Sequence, residues 1–266
     1  MTGMFPSGST RLFPILGDPI AQVRSPAKIT EIFLRRGEDA IVVPFHTPSA
    51  HLPKVLETLG AVYNVSGMLV TIPHKRMAFS LCATKTDRAH FVEAVNVARR
   101  TNQGWHGDNT DGLGYLDGIE RKGFAVAGKR VLLLGCGGAG AAIAFEIMNR
   151  GASLLAIHDI DADRRDTVIG RLAQRFPGKV VAGSADPTGY DLIANATPLG
   201  MKPDDPLPVD VSKLQPSQFV ACVITKPEVS PLIAAAMQRG CATMTGGGMF
   251  DAQAETLADF LLGHQT

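Results

Sequence analysis

The sequence has almost no excess of charge of either sign. Its 266 residues include 26 Lys and Arg and 25 Asp and Glu, which gives a formal net charge of +1. No run of basic residues stands out, so neither a nucleic acid nor a membrane surface is expected as a partner. The four cysteines, Cys82, Cys136, Cys222 and Cys241, show no CxxC spacing. They are predicted to be small buried thiols in a reducing compartment, and no metal site is predicted.

Long apolar runs are missing as well. None approaches the ~20 residues that a membrane-spanning helix needs. Residues 1–10 lack a charged start followed by an apolar stretch, so no signal peptide is expected, and their composition predicts a flexible tail. The expectation is a soluble cytoplasmic protein. A chain of 266 residues that is 45% hydrophobic is long enough for two domains.

What the sequence does have is a glycine-rich turn between two apolar runs. The turn, Gly135 to Gly140, follows the run 131–134, and a second run, 154–157, is closed by Asp159. Strand, glycine turn, helix, strand and acid follow one another in the order of a dinucleotide-binding unit. The helix 139–149 then directs its amide-rich N-terminus at the phosphates. The alternative is a glycine-rich turn that binds no ligand.

Each glycine of the turn has a predicted role. Gly135 allows the tight turn, Gly137 lets the backbone approach a pyrophosphate, and Gly140 lets the helix pack close to the sheet. The cofactor-binding residues predicted from this pattern are Gly135, Gly137, Gly138, Ala139, Gly140 and Asp159.

Asp159 is predicted to determine whether the cofactor is NAD or NADP. A carboxylate at this point accepts hydrogen bonds from the adenosine ribose hydroxyls and repels a 2′-phosphate, which favours NAD over NADP. Arg164 and Arg165 follow closely and offer a possible phosphate site. Alternatively, Asp159 caps the next helix; for Asp161 that structural role is the preferred interpretation.

Strands and helices alternate along most of the chain, which predicts an α/β protein with two mostly parallel sheets and a cleft between them. We expect helices over residues 25–36 (with Ser25 as the cap), 51–59, 75–83, 111–122, 139–149, 163–176, 230–239 and 252–262. The predicted strands are 12–16, 40–44, 67–72, 94–100, 104–106, 131–134, 154–157, 180–182, 192–195, 219–224 and 242–245.

Three side chains outside the glycine turn form a candidate proton-transfer set. Lys75 follows a predicted strand, Asp111 stands at a predicted helix start, and Asn96 lies between them in the sequence. A lysine, an aspartate and an asparagine that converge on one alcohol can bind it and move its proton. Taken singly, a solvated lysine, a helix cap and a turn asparagine are the simpler interpretations.

The order of these motifs resembles the shikimate/quinate dehydrogenase family over nearly the whole chain. The matching segments are Gly17 to Ile20 with Ser25-Pro26, Val70 to Lys75, Ala94 to Asn96, Asn109 to Gly112, Gly135 to Gly140, Asn195 to Met201, and Gly248-Met249 with Gln253. The resemblance implies hydride transfer between the 3-hydroxyl of shikimate or quinate and a nicotinamide. It also implies an N-terminal α/β substrate domain and a Rossmann-type doubly wound NAD-binding domain. The predicted boundaries are 1–112 for the substrate domain, with the helix 249–266 packing back on it, and 113–248 for the NAD domain.

The resemblance assigns roles to residues of this chain. It implies that Lys75 and Asp111 are the catalytic pair. The implied substrate-binding residues are Ser25, Thr71, Asn96 and Gln253. The cofactor set is extended to Asn195, Thr197, Pro198, Met201 and Gly248. NADP-using members usually carry Asn-Arg-Thr where this chain has Asp159-Ile160-Asp161, which resembles the NAD-using branch.

Three positions depart from the family pattern. Val23 replaces the first serine of a Ser-x-Ser-Pro motif, Leu69 replaces an asparagine, and Thr225 replaces a tyrosine. Each change removes a hydrogen-bonding group from the acid-binding wall, at ~1–3 kcal/mol for every buried partner left unpaired. Arg24 is a candidate to compensate by pairing with a carboxylate. The expected substrate is therefore shikimate, quinate or a related cyclic or smaller hydroxy compound.

Two other functions remain open. One is a non-catalytic NAD-binding regulatory module on the same fold. The other is a dehydrogenase for an unrelated alcohol, or a different reaction on the same fold, as in tetrahydrofolate dehydrogenases, which also use a catalytic lysine. The three tyrosines and one tryptophan offer few surfaces for a pterin. The expected assembly is a monomer or homodimer with a small-molecule substrate.

Overall fold

The computed structural model describes residues 6–21 and 23–264, and the chain divides into two compact units. Unit 1 comprises Met1–Thr110 with Ala254–Thr266, and unit 2 comprises Asp111–Gln253. Within the described residues, no helix is long and apolar enough to cross a membrane. All four cysteines are buried free thiols, as the sequence predicts.

Unit 1 is built on a six-stranded mixed sheet. Its strands are β1 (Arg11–Gly17), β2 (Ala40–His46), β3 (Gly67–Val70), β4 (Thr84–Lys85), β5 (Val97–Thr101) and β6 (Gly104–Asp108), in the order β2-β1-β3-β5-β6-β4. β1 pairs in parallel with β2 and β3, whereas β5 is antiparallel to both β3 and β6. β4 pairs in parallel with β6, so β5 alone runs opposite to the other five strands, and the expectation of a mostly parallel sheet is confirmed for this unit.

Four helices accompany the strands of unit 1: α1 (Ser25–Arg35), α2 (Leu52–Ala61), α3 (Lys75–Leu81) and α4 (Asp87–Val92). Two apolar clusters fill its core. One joins β1 and α1 to the end of the last helix, α9 (Gly246–Leu262), through Phe13, Phe33 and Phe260. The other joins β1 and β3 to α2 around Leu16, Leu56 and Met68.

Unit 2 is built on a six-stranded sheet that is parallel throughout. Its strands are β7 (Arg130–Leu134), β8 (Leu154–His158), β9 (Val180–Ala182), β10 (Leu192–Asn195), β11 (Phe219–Cys222) and β12 (Ala242–Met244). The remaining helices are α5 (Asp111–Arg121), α6 (Gly138–Asn149), α7 (Ala162–Arg175) and α8 (Pro231–Gln238).

The strand order of unit 2 is that of a doubly wound sheet. It runs β12-β11-β10-β7-β8-β9, so the first strand of the unit lies between the second and the fourth. This is the order of dinucleotide-binding domains, in which ligands bind at the carboxyl ends of the strands where the winding direction reverses. That point lies between β7 and β10.

Several predicted boundaries are wrong for identifiable reasons. Ser25 does not cap α1: Arg24 is the capping residue, already has helical dihedral angles and accepts the amide of Lys28. β3 stops at Val70 instead of residue 72, because the chain turns there and the amide of His74 bonds to the carbonyl of Thr71. β5 begins at residue 97 instead of 94, after Glu93 has ended α4 in a left-handed conformation.

Other differences concern elements that the sequence analysis missed or shortened. The strand β4 and the helix α4 were not predicted, although Thr86 caps α4 by accepting the amide of Ala89. α9 begins at Gly246 instead of residue 252. A Cβ atom at Gly246 would overlap the carbonyl oxygen of Ile224, so this glycine serves a close approach and not a turn.

The predicted flexible tail falls partly outside the described residues, since residues 1–5 are not described. For residues 7–10 the prediction is wrong. Thr10 is buried and donates from Oγ1 to Asp39 over 2.8 Å, while the amide of Ser7 donates to Thr10 Oγ1.

Arg150 joins α5 to α6 in unit 2. It donates from Nε to Glu146 at 2.7 Å, from Nη2 to Asp117 at 2.5 Å and from Nη1 to Glu120 at 2.9 Å. The Glu146 side chain is only 5% exposed. Because this charged carboxylate is buried, the stability of the folded protein depends on the guanidinium that pairs with it.

We expect Arg150→Ala to lower the free energy of unfolding by ~3–5 kcal/mol, because it leaves the Glu146 carboxylate buried without its cation. Arg121→Ala, at an exposed position at the end of α5, is the matched control and should stay within ~0.5 kcal/mol of the parent protein. Denaturant titration followed by circular dichroism measures both values. Equal stability of the two variants would contradict this role.

Candidate active site

The glycine turn joins β7 to α6 and leaves an open surface over the start of the helix. Gly135 has φ +85°, which favours glycine, and a Cβ at Gly140 would overlap the carbonyl oxygen of Gly135. At Gly137 and Gly138, by contrast, an added Cβ meets none of the described residues within 4 Å. Gly137 precedes α6 and has no side chain with which to cap it. The amides that open this helix therefore face space in which an anionic group fits.

Asp159 lies at the end of β8 and holds the neighbouring backbone in place. Its Oδ2 accepts the Cys136 amide at 2.8 Å and the Cys136 thiol at 3.3 Å, and its Oδ1 accepts the Asp161 amide at 2.9 Å. Arg164 adds a hydrogen bond from Nη2 to Oδ1 at 2.7 Å. The carboxylate therefore ties the glycine turn to the end of the neighbouring strand.

The charge state of Asp159 follows from these contacts. Burial raises the pKa of this carboxyl, but the hydrogen bonds from Arg164, Cys136 and Asp161 outweigh it and hold the pKa well below its usual range. Burial and the adjacent Asp159 raise the pKa of the Cys136 thiol to about 12, so the thiol keeps its proton and acts as a donor. At neutral pH the pair is a carboxylate and a neutral thiol.

The two arginines near Asp159 are both bonded to carboxylates. Arg164 pairs with Asp159, and Arg165 donates from Nε to Asp166 at 2.8 Å. Asp161 accepts the amide of Arg164 at 3.0 Å and caps α7, which confirms the interpretation of that residue as a helix cap.

A polar loop follows β10 and packs against the glycine turn. A Cβ at Gly135 would lie 2.7 Å from Cγ2 of Thr197 and 3.1 Å from its amide nitrogen. Thr197 donates from its amide and its hydroxyl to Oδ1 of Asn195, at 3.1 and 2.7 Å. The amide of Leu199 in turn donates to the Thr197 hydroxyl at 3.2 Å. The structure thus brings Asn195 and Thr197 to the glycine turn.

Two other predicted cofactor residues lie on either side of this arrangement. Met201 is 57% exposed and its amide donates to the carbonyl of Pro198 at 3.1 Å, so both belong to the same loop. Gly248 lies in the first turn of α9, where its carbonyl oxygen and Met249 would meet a Cβ at Gly118 of α5. Gly248 therefore lies where α9 packs against α5.

Asp111 opens α5 and is held by Gln253. The Gln253 side chain donates from Nε2 to Asp111 Oδ1 at 2.9 Å, and Asp111 is 7% exposed. Gly114 makes this contact possible, because a Cβ there would overlap Cβ of Gln253. The structure therefore brings together two residues that the sequence analysis assigned separately to catalysis and substrate binding.

Lys75 is half-buried in unit 1, at the first position of α3. The turn before it is fixed by two contacts: the Thr71 amide donates to the carbonyl of Leu16 at 2.9 Å, and Nε2 of the buried His74 lies 2.7 Å from the carbonyl oxygen of Thr47. The carbonyl of Lys75 accepts the amide of Val95 at 2.9 Å. Lys75 therefore projects from a rigid backbone.

Asn96 is buried and bonded to Thr110 in the same unit. Its Oδ1 accepts the Thr110 amide at 3.0 Å and its Nδ2 donates to the Thr110 hydroxyl at 3.2 Å. The neighbouring Asn109 donates from Nδ2 to the carbonyl of Ala94 at 3.3 Å.

The residues assigned to the acid-binding wall differ in their exposure to solvent. Ser25 is buried at 9% exposure, whereas Arg24 is exposed. Val23 is partly buried against the apolar cluster that contains Phe13 and Phe260, and Leu69 is part of that cluster. Two of the three positions that depart from the family pattern thus contribute apolar packing, while Thr225 is exposed.

Known proteins that are similar to this chain include shikimate dehydrogenases. Residues 15–98 match the family model described as the shikimate dehydrogenase substrate binding domain. A shikimate dehydrogenase (NADP(+)) of Jannaschia sp. (strain CCS1) is 34% identical over 244 residues, which cover 90% of this chain and 87% of the relative. The chain belongs to the shikimate dehydrogenase family.

Solved structures similar to this chain include enzymes that are named for other substrates. The ligand-free 5-ketofructose reductase of Gluconobacter sp. strain CHM43 is 28% identical, with a TM-score of 0.88 over 96% of this chain and 94% of that one. The quinate dehydrogenase of Corynebacterium glutamicum, solved in complex with NAD, is 25% identical, with a TM-score of 0.85 over 96% and 94%. Members of the shikimate dehydrogenase family are oxidoreductases. The family model, the relatives and the similar structures together confirm the resemblance and the fold class inferred from the motifs.

The open space at Gly137 gives a direct test of the glycine turn. Gly137 has φ −63°, so Gly137→Ala should fold with a stability within ~0.5 kcal/mol of the parent protein, yet lose at least about tenfold in affinity for NADH because its methyl group fills the phosphate space. Fluorescence titration measures the affinity. Gly170→Ala in α7 is the matched control, since its added Cβ also meets no described residue. Equal NADH affinity of both variants would show that the turn binds no dinucleotide.

Proposed function

We propose that this chain is an NAD-dependent dehydrogenase that oxidises a secondary hydroxyl of shikimate, quinate or a related cyclic hydroxy compound. The observation that carries the proposal is the glycine turn of unit 2, where the amides that open α6 face open space and Asp159 closes the next strand. These residues fit a dinucleotide: the turn would hold the pyrophosphate and Asp159 the adenosine ribose.

The preference for NAD rests on the charge of Asp159. Its low pKa keeps a full negative charge at the ribose position over the whole physiological pH range, and that charge repels a 2′-phosphate. Arg164 reduces the repulsion, because it pairs with the same carboxylate. The curated relatives are named as NADP(+) enzymes, whereas the quinate dehydrogenase structure holds NAD. We therefore expect a preference for NAD with residual use of NADP.

Lys75 and Asp111 are the proposed catalytic pair. A bound nicotinamide would supply the acceptor for the hydride that leaves the alcohol carbon. Lys75, as a neutral amine, would accept the hydroxyl proton and return it in the reverse direction. Asp111 would orient the amine and bind the hydroxyl, while Gln253 holds the Asp111 carboxylate at 2.9 Å. Asn96 and Thr71 are proposed to bind further substrate oxygens, with Ser25 and Arg24 near the substrate acid.

A second candidate substrate is a hydroxy compound without a carboxylate. Val23 packs against the core of unit 1 and Leu69 is buried in it, so neither side chain offers a hydrogen bond to an acid. The 5-ketofructose reductase that this chain resembles is named for a ketose. These observations support a neutral polyhydroxy alcohol or ketone as the second candidate beside shikimate and quinate.

A non-catalytic NAD-binding module is the remaining alternative. Such a module needs the glycine turn but has no use for an ordered lysine. Here the turn that carries Lys75 is fixed by the Thr71 and His74 contacts, which supports an enzyme.

Replacement of the proposed base separates catalysis from binding. Lys75→Ala should lower kcat by ~10²–10⁴-fold, because the proton acceptor is lost, while the Kd of NADH stays within about twofold. Arg76→Ala is the control, since Arg76 is the exposed cationic neighbour of Lys75. Near-normal turnover by the Lys75→Ala protein would exclude this residue as the base.

A panel of substrates tests the reaction itself. The purified protein is assayed with NAD and NADP against shikimate, quinate and neutral polyols, and in reverse with NADH and neutral ketoses. We expect kcat/KM to be at least about tenfold higher with NAD than with NADP, which corresponds to ~1.4 kcal/mol of discrimination. If shikimate is the best substrate, the carboxylate-free candidate is wrong. If no alcohol or ketone reacts with either cofactor, the dehydrogenase proposal fails.

A further inference from the structure

The segment that continues from the Asn195 loop is held in shape by one carboxylate. Asp205 accepts the amide of Gly200 at 3.0 Å and the amide of Lys202 at 2.9 Å, both on Oδ2. The amide of Asp205 itself donates to the carbonyl of Lys202 at 3.2 Å. These contacts close residues 200–205 into a compact turn, and no motif in the sequence analysis included Asp205.

We propose that Asp205 is a positioning residue for the nicotinamide half of the dinucleotide, which it serves by fixing the loop 198–205 beside the glycine turn. This inference rests on the proposed function, because it assumes that the glycine turn binds a dinucleotide.

The position of the loop follows from the sheet. β10 lies on one side of β7 and β8 lies on the other. Asp159, on the β8 side, would hold the adenosine ribose, so the other half of an extended dinucleotide must lie towards β10. Thr197 contacts the glycine turn directly on that side, and the chain continues from it into residues 198–205. The loop is therefore the part of unit 2 that stands next to the nicotinamide half.

Asp205 supplies two hydrogen bonds to a loop whose middle residues are exposed. Met201 is 57% exposed, and residues 202–204 are exposed as well. Gly200 is buried and has φ +103°, a conformation that favours glycine, and its amide is one of the two that Asp205 accepts. The Lys202 and Gly200 amides lower the pKa of the Asp205 carboxyl, so it remains a charged acceptor at neutral pH. An ordered loop binds with a smaller loss of conformational entropy than a mobile one.

The two amides converge on a single oxygen, and this permits a sharp substitution. Asp205→Ala removes the acceptor. Asp205→Asn keeps one carbonyl oxygen, which can take the place of Oδ2, but removes the charge. Asp204→Ala removes an exposed charge from the same loop and controls for the change in net charge.

The experiment measures the Kd of NADH and of 5′-AMP for the four proteins by isothermal titration calorimetry. We expect Asp205→Ala to weaken NADH about tenfold and leave 5′-AMP within twofold, because 5′-AMP occupies only the Asp159 side. Asp205→Asn should recover most of the NADH affinity, and Asp204→Ala should match the parent protein.

Three outcomes would overturn the inference. The first is an unchanged NADH affinity in Asp205→Ala. The second is an equal loss of affinity for NADH and 5′-AMP in that variant. The third is an NADH affinity of Asp205→Asn that is as low as that of Asp205→Ala. The equal loss would indicate a general effect on the fold, and the failed recovery would indicate an effect of charge. If the parent protein binds neither ligand, it is the proposed function that fails, and the inference falls with it.

Discussion

The close approach of α6 to the end of β7 is the constraint on which the proposed site depends. Gly140 lies so near the carbonyl of Gly135 that no side chain fits between them. This contact fixes where the helix begins, and therefore where its first amides point. Asp159 completes the arrangement by binding the Cys136 amide within the same turn. Loss of either contact would displace the amides that are proposed to hold the pyrophosphate.

The same residues carry both the structure and the proposed selectivity. Asp159 accepts four hydrogen bonds within the protein, and its two oxygens offer about four acceptor positions. Ribose hydroxyls would therefore compete with the thiol of Cys136 and the guanidinium of Arg164, the two donors on side chains. Cofactor preference in this chain thus depends on the partners of Asp159 as well as on its charge.

Local patterns predicted local structure well. The glycine turn, Asp159 and the cap at Asp161 follow from spacing within about 25 residues, and the structure places them at the ends of β7 and β8 as a doubly wound unit requires. Contacts between distant segments could not be predicted in this way. The start of α9 at Gly246 depends on a close approach to Ile224, and the Gln253–Asp111 contact joins residues 142 positions apart. Asp205 was missed because its partners are backbone amides, which carry no sequence signal.

A crystal structure of the protein with bound NADH tests the central claim most directly. The account predicts pyrophosphate oxygens within hydrogen-bond distance of the amides of residues 137–139 and the adenosine ribose against Asp159. A dinucleotide bound away from the glycine turn, or an adenosine ribose without contact to Asp159, would contradict it.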